Sequence, residues 1–141
     1  MKCLLEAGVI TPTEVIAWAD ETLMATEGYN DALAEVSMGS KESPGELAGR
    51  LRILTGEVDP FEVMPRVFAA MHDAVMKGSS RLDDLLGFLG SFCSQYHYEV
   101  PEYLVESISY GEDLYCAREG IYGSVGEATA SSTEYLARHA G

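Results

Sequence analysis

The chain has 141 residues, 47% of them hydrophobic, enough to close a core of its own, so disorder throughout is not expected. Nine Lys and Arg stand against 23 Asp and Glu, a formal charge of −14. That balance repels phosphate backbones and anionic lipid, so neither nucleic acid nor a membrane surface is an expected partner; a basic protein, a metal ion or a cationic ligand would be drawn in, and acidity also simply keeps a protein soluble.

At the amino end, Met1-Lys2-Cys3-Leu4-Leu5 carries one positive charge, and Glu6 interrupts the apolar run before a signal-peptide core could form. The longest uncharged stretch, Leu85 to Tyr98, is too short and too rich in Ser, Gln, His and Tyr to span a bilayer. Cys3, Cys93 and Cys116 are odd in number and form no C-x-x-C pair. Neither a disulfide framework nor a zinc knuckle is suggested, and a reducing cytoplasm is the expected setting.

Helix starts are written as a recurring box in which Ser, Thr or Asp precedes Pro and Glu follows three positions after the cap. It occurs at Thr11-Pro12-Thr13-Glu14, Ser43-Pro44-Gly45-Glu46 and Asp59-Pro60-Phe61-Glu62, and without Pro at Ser124-Val125-Gly126-Glu127. The first side chain can accept an unsatisfied amide hydrogen, Pro sits where a missing N–H costs nothing, and Glu can reach back to the cap amide. Gly28, Gly39, Gly56, Gly78 and Gly120 supply the stops. Helices are predicted over 12–26, 31–37, 44–55, 60–77, 81–97, 101–117 and 125–139. In 81–97, Leu82, Leu85, Leu86, Leu89, Phe92, Cys93 and Tyr96 recur at helical spacing and define a core face. The 60–77 segment repeats the rhythm through Met64, Val67, Phe68, Met71, Ala74 and Val75, with Pro65 expected to kink it or reset its start. Trp18, the only tryptophan, falls between Ile16 and Leu23 and should pack the core edge. Alternating apolar runs are too short for strands. The expectation is one all-α domain, a compact bundle of about six or seven helices joined by short connections.

No catalytic residue, cofactor or metal site is expected. The residues three before His72, His97 and His139 are Ala69, Ser94 and Leu136, so no Glu-x-x-His pair for a di-metal bundle exists. Cys93 and His97 lie four apart on one predicted helix, the minimum geometry for a thiolate–imidazolium pair, but Cys93 falls inside the apolar stripe, where a cysteine is a small hydrophobe. No G-x-S-x-G elbow and no Gly-rich phosphate loop ending in Lys is present.

From Leu82 to Ala117 the chain carries Asp83, Asp84, Glu99, Glu102, Glu106, Glu112 and Asp113 with no Lys or Arg, and five of the eight tyrosines. If 101–117 is one helix, the 100° step puts Glu102, Glu106 and Asp113 within about 40° of each other, with Tyr103 and Tyr110 alongside and Leu104, Ile108 and Tyr115 opposite. A break at Gly111 would detach Asp113 from that stripe. Carboxylates beside tyrosines suit a cationic protein, since the charges steer encounter while Tyr supplies large, low-entropy anchors; an ordinary solvated face with half-buried tyrosines is the competing reading. The expected partner-binding residues are Tyr98, Glu99, Glu102, Tyr103, Glu106, Tyr110 and Asp113.

Small size, helical content, acidity and an acid-plus-tyrosine helix resemble bacterial immunity proteins, which block a cognate, often basic, toxin by covering it. The stretch from Gly8 to Asp20 is similar to the opening of small bacterial proteins found in that setting, and Tyr96-His97-Tyr98-Glu99-Val100-Pro101 loosely echoes the nuclease-immunity motif, an acid followed by paired tyrosines and proline, which is absent as such. The resemblance implies an inhibitor of a basic partner and carries over no individual binding residue. Glu99-Val100-Pro101-Glu102 also resembles a fragment of the magnesium-binding E-x-x-E of all-helical nucleotide pyrophosphohydrolases. Pro101 starts a helix between those glutamates, and Glu112-Asp113 is a second acidic pair at the wrong spacing. Two alternatives to the inhibitor therefore stand: a divalent-metal enzyme using Glu99, Glu102, Glu106 and Asp113, and a homodimeric scaffold joined through its tyrosine face.

Overall fold

The computed structural model describes residues 1–56, 58–96 and 99–141. Among them it is all-helical, with eight helices: α1 (Lys2–Glu6), α2 (Pro12–Ala25), α3 (Asp31–Ser37), α4 (Pro44–Thr55), α5 (Met64–Met76), α6 (Leu82–Tyr96), α7 (Glu102–Arg118) and α8 (Val125–Arg138). The chain divides into two compact units, Met1–Asp59 and Pro60–Gly141.

The first unit packs α2 on α3, α3 on α4 and α1 on α4. Thr11 caps α2 with the full reciprocal box: its Oγ1 accepts from the Glu14 amide at 3.2 Å, and the Glu14 carboxylate accepts from the Thr11 amide at 2.7 Å. The Thr11 amide and, at 3.0 Å, the Thr11 hydroxyl both donate to the Glu14 carboxylate and hold that carboxyl below its ordinary pKa. Ser43 caps α4 and Asn30 caps α3 through the amide three residues on. The core is Leu5, Val15, Ala19, Leu33, Val36, Leu47, Ala48 and Leu51, and Trp18 packs half-buried at its edge as its position on α2 predicts. Outside that core, Arg50 bridges Glu42 at 2.8 Å and Glu35 at 2.5 Å.

Helix α1 is the element the sequence pattern misses. Five residues with no side-chain cap carry no periodicity to read. It ends in a Schellman turn, with Gly8 at φ 73° and the Val9 amide donating to the Leu4 carbonyl at 2.9 Å.

At the boundary of the two units, the start box at Asp59-Pro60 does not open a helix. Residues 60–63 form turns and α5 begins at Met64, with Pro65 inside its first turn, where a proline loses no hydrogen bond. Pro65 therefore resets the start, one of its two expected effects, and the predicted 60–77 helix shortens to Met64–Met76. Schellman turns close α5 at Gly78 and α7 at Gly120, where the Ser79 and Ile121 amides reach back to Ala74 and Cys116. The core stripe of α6 is as predicted: Leu82, Leu85, Leu86, Leu89, Phe92 and Cys93 are buried and Tyr96 is half-buried. Helix α7 packs against both α6 and α8, and α8 packs against α5.

Among the described residues, no helix is long and apolar enough to cross a membrane.

Candidate functional site

Helix α7 is one continuous helix through Gly111, so the acidic stripe is not interrupted. Glu102, Glu106 and Asp113 are all exposed, and Glu99 is exposed just ahead of the helix. None of these four takes part in a salt bridge among the described residues. Asp113 accepts a hydrogen bond from the Tyr122 hydroxyl at 3.0 Å. Hydrogen bonding to Cys116 and Asp113 pushes the Tyr122 phenol up to about 12. Tyr98 and His97 lie outside the described residues.

The two tyrosines expected beside the carboxylates have another job. Tyr103 is half-buried, stacked on His139 with ring centroids 5.1 Å apart and edge-on to Phe68 at 5.9 Å. Tyr110 is half-buried and stacked on Tyr135 at 4.6 Å, and its hydroxyl accepts from the Arg138 guanidinium at 2.9 Å. Tyr135 is fully buried and donates to the Tyr103 carbonyl at 2.5 Å. Burial, with the Glu106 charge nearby, holds the Tyr135 phenol well above its ordinary range. These rings pack α7 onto α8 and α5.

The opposite flank reverses the expectation too. Ile108 and Tyr115 were expected to face the core with Leu104, yet only Leu104 is buried; Ile108 is 41% and Tyr115 61% exposed. The buried positions of α7 are Leu104, Ser107, Leu114 and Ala117. That stripe lies to one side of Leu104, because the tyrosines on the α8 flank take up the burial that Ile108 and Tyr115 were expected to have.

What Ile108 and Tyr115 line is a groove of about 540 Å³ between α6 and α7, floored by Leu86 and Leu114. It is open beside Gly87, while Gly90 and Gly111 face side chains of the neighbouring helix. A Cβ at Gly87 would meet nothing within 4 Å, one at Gly90 would meet Ile108 at 3.9 Å, and one at Gly111 would meet Leu86 at 3.7 Å. At one end, Arg118 bonds Asp83 at 2.7 Å, and Arg81 adds a longer contact to the same carboxylate at 3.3 Å. Glu112 and Glu119 also line the groove, exposed and in no salt bridge among the described residues. Gly87 and Gly90 fall inside the strongly patterned 81–97 helix, where a glycine costs about 1 kcal/mol against alanine, and Gly111 stands where 101–117 was open to a break.

A polar depression in the first unit, about 570 Å³ and lined by Glu42, Glu46, Arg50, Arg52 and Ile53, is largely self-neutralised by the Arg50 bridges. Cys93 is buried, its Sγ donates to the Leu104 carbonyl at 3.4 Å, and desolvation pushes its thiol up, the environment of a packing cysteine rather than a nucleophile. Among the described residues no group of three or more His, Cys, Asp or Glu could hold a metal ion, so Glu99, Glu102, Glu106 and Asp113 do not converge as the metal alternative requires. Compared with models of known protein families, with characterised proteins and with solved structures, the chain matches none.

Proposed function

We propose that this protein binds a basic protein partner through α7 and its flanks, in the manner of an immunity or antitoxin-like inhibitor. The observation that carries the reading is the surface of α7 itself. It exposes Glu102, Glu106, Glu112 and Asp113, with Arg118 as its one basic residue, and exposes the apolar Val105, Ile108 and Tyr115 among them. Uncompensated carboxylates raise the encounter rate with a cation and reject anionic competitors, while apolar side chains already in water give up hydration on binding. A surface kept acidic only for solubility has no need to expose Val105 between Glu102 and Glu112, or Ile108 and Tyr115 on the flank beside Glu112.

The test begins with a tagged pull-down from the native host at low salt, eluted by raising the salt, followed by purification of the basic protein recovered. Its affinity for the wild type and for a Glu102→Lys/Glu106→Lys variant is then measured across a salt series. The variant is expected to bind about tenfold or more weakly, with a flatter salt dependence. Equal affinity and equal salt dependence would overturn the assignment of this surface.

A further inference from the structure

Resting on the basic-partner reading, we infer that the α6–α7 groove is where that partner docks, and that its occupant is an amphipathic helix with an apolar stripe and flanking Lys or Arg. The groove runs from Asp83 to Gly90 along α6 and from Ser107 to Glu119 along α7. Twelve residue steps on α7 correspond to about 18 Å, more than three helical turns, a trough shaped for a rod of similar length rather than for a compact metabolite.

Gly87 explains the depth. Among the described residues nothing lies within 4 Å of a Cβ placed at Gly87, so its missing side chain relieves no clash with them. It leaves a hollow where a partner's backbone or an apolar side chain can approach α6 closely. Leu86 and Leu114 form an apolar floor, and Ile108 and Tyr115 already stand in water along the wall, ready to close over an inserted Leu or Ile.

Charge selects the occupant. Asp83 is spent on Arg118 and Arg81, so Glu112 and Glu119 are the uncompensated charges of the lining. A second copy of this chain would bring its own Glu112 and Glu119 and a formal charge of −14 to the same place. A cationic helix sets Lys or Arg on those carboxylates while its apolar stripe fills the hollow.

The probe is a synthetic helical peptide with Leu at every third and fourth position and Lys elsewhere. Two control peptides go with it: one with Glu in place of Lys, and one with the same Lys count and Gln in place of Leu. Binding is followed by fluorescence anisotropy and mapped by amide chemical shifts on the full-length protein. The Leu/Lys peptide is expected to bind with the largest shifts at Gly87, Gly90, Gly111 and Tyr115, and to bind about tenfold tighter than the Gln control. Gly87→Phe, which fills the hollow without changing charge, is expected to weaken it about tenfold; Gly87→Met serves as a second variant should Phe disturb the thermal midpoint. Loss of peptide binding in Glu102→Lys/Glu106→Lys, with Gly87→Phe and Gly87→Met both binding as wild type, overturns the groove and leaves the basic-partner reading standing. Equal binding of the Gln control likewise overturns the groove, since charge alone then suffices. Failure of every Lys-rich peptide to bind overturns the groove, while the basic-partner reading is decided separately by the pull-down and its salt series.

Discussion

The two flanks of α7 are built from similar residues to opposite ends. Toward α8, Tyr103 and Tyr110 lie against His139 and Tyr135, the Tyr135 hydroxyl is bonded to the Tyr103 carbonyl and the Tyr110 hydroxyl to Arg138. Toward α6, Tyr115 and Ile108 stand in water beside a hollow left open at Gly87. The difference teaches that an aromatic on this helix is structural where the neighbouring helix offers a ring and a hydrogen-bond partner, and available where the neighbour offers glycine. It also separates what stabilises the second unit from what its surface can recruit, so each flank can be broken independently.

The largest effect is expected on the closed flank. Tyr135→Ala removes the ring shared by Phe68, Tyr110 and His139 and should cost about 3–5 kcal/mol in urea unfolding. Tyr135→Phe keeps the ring but loses the bond to the Tyr103 carbonyl, at about 1 kcal/mol. It also tests the pH sign. Burial raises the Tyr135 pKa, so the folded chain holds a proton that the unfolded chain begins to release near pH 10. Stability from this group is complete below that pH and declines as pH rises above it. Unfolding midpoints between pH 8 and 11 should fall more steeply in the wild type than in Tyr135→Phe.

On the open flank the expected changes are smaller and one has the opposite sign. Gly87→Ala places a methyl in empty space on a helix and should stabilise by up to about 1 kcal/mol, read as a raised urea midpoint; a lower midpoint would mean that Gly87 serves internal packing after all. Tyr115→Ala should move stability by no more than about 0.5 kcal/mol, because the side chain is mostly in water.

The same contrast explains what could be read from the sequence. Caps are local chemistry, so Thr11, Ser43 and Ser124 marked their helices to the residue, and the α6 stripe followed from seven apolar positions in one rhythm. Asp59-Pro60 misled because Pro65 offered a second legal start four residues inside the predicted helix. The acidic spacing of Glu102, Glu106 and Asp113 was legible, being fixed by the 100° step alone. Which side of α7 faces inward was not. Leu, Ile and Tyr are distributed around this helix, and a tyrosine tolerates either environment, so the phase is set by partners on α8 that periodicity does not see. The groove escaped for a related reason: Gly87 and Gly111 become one feature only when α6 and α7 lie side by side.

The most direct test of this division pairs Tyr110→Ala with Tyr115→Ala, each assayed by urea unfolding and by titration with the Leu/Lys peptide. Tyr110→Ala is expected to lose stability, through its lost stacking on Tyr135, and Tyr115→Ala to keep its stability while binding the peptide several-fold more weakly. Undiminished peptide binding by a stably folded Tyr115→Ala would contradict the account, because the open flank would then have no part in recognition.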